Sequence, residues 1–155
     1  MILDGGHKMA RRGFQSREVL TRYATADDDG RCAEIFLAGR RQAFPWRDAA
    51  FFRLGDYHDC VEGEMVWVAE VEGIVVGFIS ASLRDNVIHN LFIDPDWQNR
   101  GVGTRLLDCA LSHMRRPVQL QCADRNEPAR AFYERKGWVP EPPADPSDPY
   151  ILYRK

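Results

Sequence analysis

The chain has 155 residues, 45% of them hydrophobic and 28% charged, and its 21 Lys and Arg nearly balance 23 Asp and Glu to a net charge of −2. These values are ordinary for one soluble globular domain with a full hydrophobic core. The balanced charge gives no support to non-specific binding of nucleic acid or of a membrane surface. No apolar run reaches the ~18 residues that a membrane span needs.

The first residues indicate where the domain begins, and the cysteines indicate its compartment. Residues 1–17 show no hydrophobic period and lack the apolar core of a signal peptide. We expect them to be a disordered leader, with Met9 as an alternative start, in front of a domain over 18–155. The cysteines form no C-x-x-C pair and have no His at zinc-ligand spacing, so the sequence predicts no metal site. We expect free thiols in a reducing, cytoplasmic compartment; they are Cys32, Cys60, Cys109 and Cys122.

Hydrophobic periodicity and turn residues predict a mixed α/β (α+β) domain with a mostly antiparallel central sheet and helices on both faces. A strand-helix-strand unit near the end of the chain accounts for the mixed character of the sheet. The predicted elements are, in chain order, a strand over 19–23, a helix from Thr25 to Arg41, a helix with Phe51, Phe52 and Leu54 that ends near Gly55, strands over 65–70, 74–83 and 87–93, a helix over 102–114, a strand over 118–122, a helix from Asn126 to Gly137, and a strand over 150–153.

The segment 91–107 is the most informative, because it combines a strand, a tight loop with Gly101 and Gly103, and an amphipathic helix. The start of a helix leaves about four backbone N–H groups without intrahelical partners and carries roughly half a positive charge. Glycines let a phosphate approach the backbone closely, and Arg100 and Arg105 add charge, so the segment is a candidate site for a diphosphate. On the two glycines alone, a plain strand-to-helix turn explains the loop equally well. The triphosphatase and dinucleotide fingerprints are absent, which disfavours ATP and NAD.

Three motifs in order make the chain resemble the GNAT superfamily of N-acyltransferases. Residues 98–103, Gln-Asn-Arg-Gly-Val-Gly, match its Q/R-x-x-G-x-G/A signature, and residues 91–95 resemble the strand and turn before it. Residues 126–138 resemble its N-x-x-A…F/L-Y-x-x-x-G-F segment. Two positions depart from the pattern. Asn99 replaces a common glycine, which is tolerable because Asn adopts the left-handed region readily, and Trp138 replaces a Phe.

The resemblance implies acetyl-coenzyme A as co-substrate, without a metal. Backbone N–H groups of the loop would hold the pyrophosphate, and the pantetheine arm would pair with the exposed strand edge of Leu91, Phe92 and Ile93 where it splays from the next strand. The loop residues are Gln98, Asn99, Arg100, Gly101, Val102, Gly103 and Thr104.

The resemblance also implies catalytic roles in direct transfer of the acetyl group to a primary amine. Tyr133 is the candidate acid for the departing thiolate; the alternative is a buried aromatic residue with an ordinary hydroxyl partner. Asn126 would contact the coenzyme, although an N-cap role explains it equally well. His89 is the candidate base, with Asn90 and Glu70 as lower candidates. A structural His, or a water chain in place of a base, are the alternatives.

The acceptor is expected to bind at the segment between the first strands. The candidate contacts there are Phe44 and Trp46, together with His89 and Asn90. Aromatic and acidic walls would suit a cationic amine, whereas a helical pair that buries its aromatics is the plainer interpretation. The other members of this segment are Arg40, Phe51, Phe52, Asp56, Tyr57, His58, Asp59, Glu62 and Glu64.

Alternative functions remain open at this point. A non-catalytic acyl-coenzyme A sensor or interaction module could have the same fold, and a covalent Cys intermediate is a minor variant. An enzyme acting on aminoacyl-tRNA would need a basic face, which the charge does not support, so we expect no nucleic-acid and no membrane partner. The last strand could form the edge of a homodimer, or Tyr150 and Ile151 could belong to the core.

Overall fold

The computed structural model describes residues 2–3 and 17–155, and the account below concerns these residues. Within them the chain forms one central sheet and four α-helices; the short strands β1 and β7 were not among the predicted elements. The elements are β1 (Ile2–Leu3), β2 (Leu20–Tyr23), α1 (Asp29–Ala43), α2 (Asp56–Val61), β3 (Met65–Val71), β4 (Ile74–Ser82), β5 (Val87–Ile93), α3 (Val102–Leu111), β6 (Gln119–Ala123), α4 (Glu127–Arg135), β7 (Val139–Glu141) and β8 (Tyr150–Arg154).

The sheet is mixed, as predicted, with the strand order β2-β3-β4-β5-β6-β8-β7. All neighbours along this path are antiparallel except β5 and β6, which are parallel. The tight β3–β4 turn places Glu72 and Gly73 at φ of 50° and 79°, a left-handed conformation that glycine adopts without strain. Strand β7 contains Pro140 and lies at the edge of the sheet, where a missing backbone donor is tolerated.

Helices cover both faces of the sheet, which confirms the predicted layers. On one face, α1 packs Phe36 against the rings of Phe78 and Phe92 with centroids 6.1 and 5.1 Å apart. A Cβ atom added at Gly39 would overlap the Phe92 ring, so the absence of a side chain at Gly39 lets α1 lie directly on β5. The other face carries α3 and α4, whose apolar residues join the larger core cluster.

The amphipathic period after Pro95 is confirmed in α3. Its inward stripe of Val102, Leu106, Leu107 and Ala110 is buried against the sheet, because these positions recur on one face of a 3.6-residue helix. Burial of Val102, Leu106 and Leu107 contributes roughly 1.5–3 kcal/mol for each side chain. The stripe therefore fixes the direction in which the amino end of α3 points.

The prediction of a helix carrying Phe51, Phe52 and Leu54 is wrong. This segment forms only a 3₁₀ turn over Ala49–Phe51, and α2 begins at Asp56, beyond Gly55. The carboxylate of Asp56 accepts the backbone N–H of Arg53 at 2.9 Å and lies in the first turn of α2, where the helix dipole favours an acid. The spacing of the apolar residues placed the helix before Gly55, whereas α2 lies after it.

The predicted leader falls for the most part outside the described residues. Residues 4–16 are among those that the structure does not describe. Ile2–Leu3, however, form β1 and pair in parallel with Leu91 and Phe92 of β5. The sequence contained no period that predicted this strand.

Candidate active site

A fork between the two parallel strands forms the centre of the candidate site. Strands β5 and β6 pair only at Val87 with Gln119 and at Ile88 with Leu120. Beyond that point β5 stays paired with β4 up to Ile93, and β6 stays paired with β8 up to Ala123. The facing edges therefore separate toward the carboxyl ends of the two strands, as the sequence resemblance implied.

A β-bulge lies at the closed end of the fork. Ser80 pairs with Asn90 and the next residue, Ala81, pairs with Ile88, so His89 is the extra residue in β5. A bulge bends its strand and re-aims the side chain at that position. Here it separates His89 from the regular alternation of β5.

The inner edge of β5 offers its backbone and not its side chains. Leu91, Phe92 and Ile93 are buried, and the described strand β1 is paired with Leu91 and Phe92 in parallel. The edge that the resemblance assigns to the pantetheine arm can thus pair with an extended chain. In this structure that extended chain is β1.

The loop after β5 presents the amino end of α3. Asn99 and Gly101 have φ of 62° and 80°, so the left-handed conformation predicted for Asn99 is confirmed. Gly101 is the N-cap and makes no side-chain cap hydrogen bond. The first turn of α3 carries no acidic residue, and the N–H groups of Val102, Gly103 and Thr104 have no intrahelical acceptors.

The side chain of Gln98 holds this loop against α1 and β5. Its amide pairs reciprocally with the amide of Gln42, at 3.1 and 3.3 Å, and donates to the carbonyl of Ile93 at 3.3 Å. The sequence did not predict Gln42 as a partner. Gln98 therefore acts on the shape of the loop through its side chain, which is buried.

The two arginines of the loop differ in their contacts. The guanidinium of Arg100 lies 4.8 Å from the ring centroid of Trp97. Arg105 donates to the carbonyl of Val19 at 2.9 Å, which ties α3 to the start of β2. Arg100 is therefore the better placed of the two to add charge at the loop.

Helix α4 follows β6, the second strand of the fork, in the chain. Its N-cap, Asn126, accepts the N–H of Ala129 at 3.3 Å and is buried, which confirms the capping role. Tyr133 is fully buried in the core cluster that also contains Leu91 and Cys122. Its ring packs edge-on against Trp138 at a centroid distance of 5.7 Å. The structure thus brings the candidate acid into the cluster that lines the fork.

The candidate base and its alternatives have distinct partners. His89 Nδ1 contacts Glu64 Oε1, which the sequence did not predict. The Asn90 amide donates to the buried Ser80 hydroxyl at 2.9 Å. Glu70 accepts from Arg22 at 3.1 Å, so its carboxylate is engaged in an ion pair on the β2–β3 side of the sheet.

The predicted acceptor wall is mostly packed interior. Phe44 is buried, and its ring lies 5.2 Å from that of Trp46, which is 39% exposed. Arg125, just before α4, lies 4.2 Å over the Trp46 ring and links this segment to the end of β6. Sequence reasoning missed Arg125, and no pattern in the sequence indicates the contact.

Arg40 forms an ion pair with Asp56, one of the acids of the predicted acceptor segment. Its guanidinium is 2.6 Å from Asp56 and stacks on Phe36 and Phe52 at 4.2 and 4.8 Å. The hydrogen bond from Arg40 lowers the pKa of the Asp56 carboxyl. Tyr57 is likewise buried against α1, so these residues stabilise the α1–α2 pair.

The two buried thiols, Cys32 and Cys122, are poorly suited to nucleophilic attack. Burial raises the pKa of Cys122 to about 11 and that of Cys32 to about 12, and the thiolate is the reactive form.

Within residues 2–3 and 17–155, no group of three or more His, Cys, Asp or Glu side chains could hold a metal ion. The helices in that part of the chain are too short or too polar to span a bilayer.

A family model for the Acetyltransferase (GNAT) family matches residues 23–138, which span the fork, the loop and α4. The chain belongs to the GNAT acetyltransferase family. Curated relatives agree: the chain is 32% identical over 126 residues to the N-alpha-acetyltransferase RimI of Mycobacterium tuberculosis, covering 74% of each protein. It is 35% identical over 85 residues to an uncharacterized N-acetyltransferase of Methanocaldococcus jannaschii, covering 46% of this chain and 38% of that protein.

Solved structures show the same GNAT fold. Apo YjaB from Escherichia coli superposes with a TM-score of 0.68 at 25% identity, covering 88% of this chain and 95% of that one. The PaiA N-acetyltransferase from Thermoplasma acidophilum, solved in complex with coenzyme A, gives a TM-score of 0.63 at 17% identity over 89% and 99%. The chain covers less than half the length of several curated relatives. It covers 38% of the M. jannaschii protein and 46% of a probable N-acetyltransferase of M. tuberculosis.

Proposed function

We propose that this GNAT chain is an acetyl-coenzyme A-dependent N-acetyltransferase that transfers an acetyl group directly to a primary amine. The observation that carries the proposal is the separation of β5 from β6 beside the amino end of α3, which makes no side-chain cap hydrogen bond. A backbone edge that pairs with an extended chain and a cluster of helix N–H groups are complementary to a molecule with an extended amide arm and a diphosphate. No other part of the described chain combines these two features.

The residues present fit the diphosphate. The N–H groups of Val102, Gly103 and Thr104 point out of the amino end of α3, and Gly101 leaves open space where a Cβ would stand. Asn99 and Arg100 complete the loop, and Gln98 holds it in place. Each charge interaction with a helix end is worth only ~0.3–1 kcal/mol at an exposed site, so several N–H groups are expected to act together.

The fork fits the arm of the coenzyme. We assign the backbone of Leu91, Phe92 and Ile93 to pairing with its amide groups, and Asn126 to a contact across the fork in addition to its capping bond. A backbone N–H of β5 would polarise the thioester carbonyl. Losing one such donor in an oxyanion hole costs ~3–4 kcal/mol.

Proton transfers accompany the exchange of a C–S bond for a C–N bond. We assign His89 to accept the proton that leaves the acceptor ammonium, so that the nitrogen lone pair can attack. Tyr133 holds a proton at Oη for the departing sulfur. The raised pKa values of the buried thiols support direct transfer over a cysteine intermediate.

The acceptor side is the less specified part of the proposal. Phe44 and Trp46 border the end of α1, and His89 and Asn90 lie on β5, so we place the acceptor between these two groups. The relative named as an N-alpha-acetyltransferase supports including peptide α-amines among candidate acceptors. Four free cysteines support a reducing, cytoplasmic setting, and Ile151 is buried within one copy, which weakens the case for a dimer edge there.

Release of coenzyme A across a panel of small amines, amino acids and peptide amino termini tests the function. We expect amine-dependent release by the wild type, and a fall of about a hundredfold or more in Tyr133→Phe with unchanged donor affinity. Tyr23→Phe is the matched control, because Tyr23 is half exposed on the edge strand β2. Donor binding without release for any amine would favour the acyl-coenzyme A sensor instead, and equal turnover of the two variants would remove Tyr133 as the acid.

A further inference from the structure

Glu64 lies in the turn between α2 and β3, where its side chain is only 10% exposed. Oε1 contacts Nδ1 of His89. Oε2 is buried and finds no hydrogen-bond partner among the residues that the structure describes. The carboxylate is therefore largely withdrawn from water, and its Oε1 lies against an imidazole on β5.

A carboxylate in this position is costly unless it is compensated. Burying a charged group without its full set of hydrogen bonds opposes folding. Packing alone would be served as well by an apolar side chain of the same size. The contact with His89 instead indicates that the carboxylate acts on the imidazole.

We propose that Glu64 is a positioning residue that orients His89 and fixes its tautomer for proton abstraction from the acceptor ammonium. The proposal rests on the proposed function. It extends that function from one candidate base to a carboxylate–imidazole pair, assembled from two elements that are 25 residues apart.

The bulge in β5 sets the position of the His89 side chain. His89 is the extra residue between Ile88, the last residue paired with β6, and Asn90, which is paired with β4. Its side chain is 47% exposed, in contrast to the buried Asn90. The imidazole is thus anchored at one end by Glu64 and stays accessible at the closed end of the fork, two residues before Leu91.

The ring nitrogen of His89 that carries the proton determines which nitrogen can act as the base. When Nδ1–H donates to the Glu64 carboxylate, Nε2 keeps its lone pair and is the atom that can accept a proton. The proton moves from the acceptor ammonium to Nε2, and the electron pair of the broken N–H bond stays on the amine nitrogen for attack. The imidazolium that results is stabilised by the negative charge of Glu64 until solvent removes the proton.

Further charged residues lie on the elements next to Glu64 and His89 in the chain. On α2 and at its end lie Asp59 and Glu62, and the turn between β4 and β5 carries Arg84 and Asp85. The Asp85 carboxylate accepts from the Ser82 hydroxyl at 3.1 Å. Glu62 is an exposed acid two residues from Glu64, which makes it a matched control for general charge effects.

Steady-state kinetics over a range of pH with the purified full chain test the pair. Glu64→Gln keeps the size and a hydrogen-bond acceptor but removes the charge. We expect kcat to fall by about tenfold to a hundredfold, with unchanged affinity for coenzyme A. Glu62→Gln should leave both unchanged.

A double-mutant cycle separates positioning from structure. In a His89→Ala background, Glu64→Gln should cause little further loss, because the pair acts as one unit. Full additivity of the two losses would overturn the proposal, as would a Glu64→Gln variant with the kcat of the wild type. A wild type that acetylates no amine would contradict the proposed function instead.

Nitrogen-15 NMR of the His89 ring reads the tautomer without any turnover. We expect the Nδ1–H form in the wild type and a mixture of forms in Glu64→Ala. A wild-type ring protonated at Nε2 alone, at a pH where it is neutral, would overturn the positioning role whether or not an acceptor has been found.

Discussion

At the scale of single residues, Cys122 shows how burial decides between two mechanisms. Its thiol lies in the core cluster beside the fork, where a covalent intermediate would have to form. Its Sγ contacts the carbonyl of Ala123 at 3.6 Å, and burial raises its pKa to about 11. At neutral pH the thiol therefore stays protonated and acts as a small apolar side chain.

Replacing Cys122 with Ala should leave turnover within about a factor of two, because direct transfer needs no enzyme nucleophile. The measurement is amine-dependent release of coenzyme A, with thermal unfolding recorded in parallel to separate any loss of stability. Mass spectrometry of the wild type after exposure to the donor alone should show no acetylated cysteine. An acetyl group found on Cys122 would contradict direct transfer.

The candidate residues also show the limits of sequence reasoning at this scale. Asn99 was expected to be tolerated in place of glycine, and it does adopt the left-handed conformation, which Asn reaches more readily than most non-glycine residues. The contact of His89 with Glu64 and that of Trp46 with Arg125 could not be predicted. Both join side chains far apart in sequence, and their geometry depends on a bulge and on the end of a helix.

At the scale of elements, β1 and the predicted pantetheine arm use the same edge. A strand edge can pair with one extended chain at a time, and Leu91 and Phe92 are paired with Ile2 and Leu3. If the coenzyme arm uses this edge, it has to displace β1. The sequence did not predict β1, because two apolar residues carry no measurable period.

Replacing both Ile2 and Leu3 with Pro should strengthen binding of coenzyme A, because proline removes the N–H groups that a ladder needs. One or two backbone hydrogen bonds at a net ~1 kcal/mol each correspond to about a fivefold to thirtyfold gain in affinity. Calorimetric titration of the proline variant against wild type provides the measurement. The double Ala variant keeps both N–H groups and should bind as the wild type does; equal affinity of all three chains would show that β1 does not compete.

Strong periodic elements were predicted well, and short irregular ones were not. The prediction of β5 over 87–93 agrees with the structure, and α3 begins at Val102 as expected, because a strand and an amphipathic helix impose long repeating patterns. The helix α2 has only six residues, which is too short for a period to locate it. Its start is set by Gly55 and Asp56 and not by the apolar residues before them.

At the scale of the whole molecule, the sheet brings together residues that the sequence keeps far apart. Strand β5 supplies the paired edge, the loop before α3 supplies N–H groups, and α4 supplies Tyr133 from the other side of the fork. The order of motifs was enough to predict the family and its fold, since it matches one family throughout. The acceptor side was not predictable in the same way, because Phe44, Phe52 and Tyr57 turned inward to stabilise α1 and α2.

Binding of coenzyme A to three chains, measured by calorimetry, tests the central claim most directly. Gly103→Asp places a carboxylate at the second residue of α3, and Gly30→Asp places one at the second residue of α1, where the added side chain meets open space. If the amino end of α3 holds the diphosphate, Gly103→Asp should weaken binding by about a hundredfold or more, because like charges brought together cost several kcal/mol. Gly30→Asp should then bind as tightly as the wild type. A Gly103→Asp chain that is folded and binds coenzyme A with wild-type affinity would contradict the account.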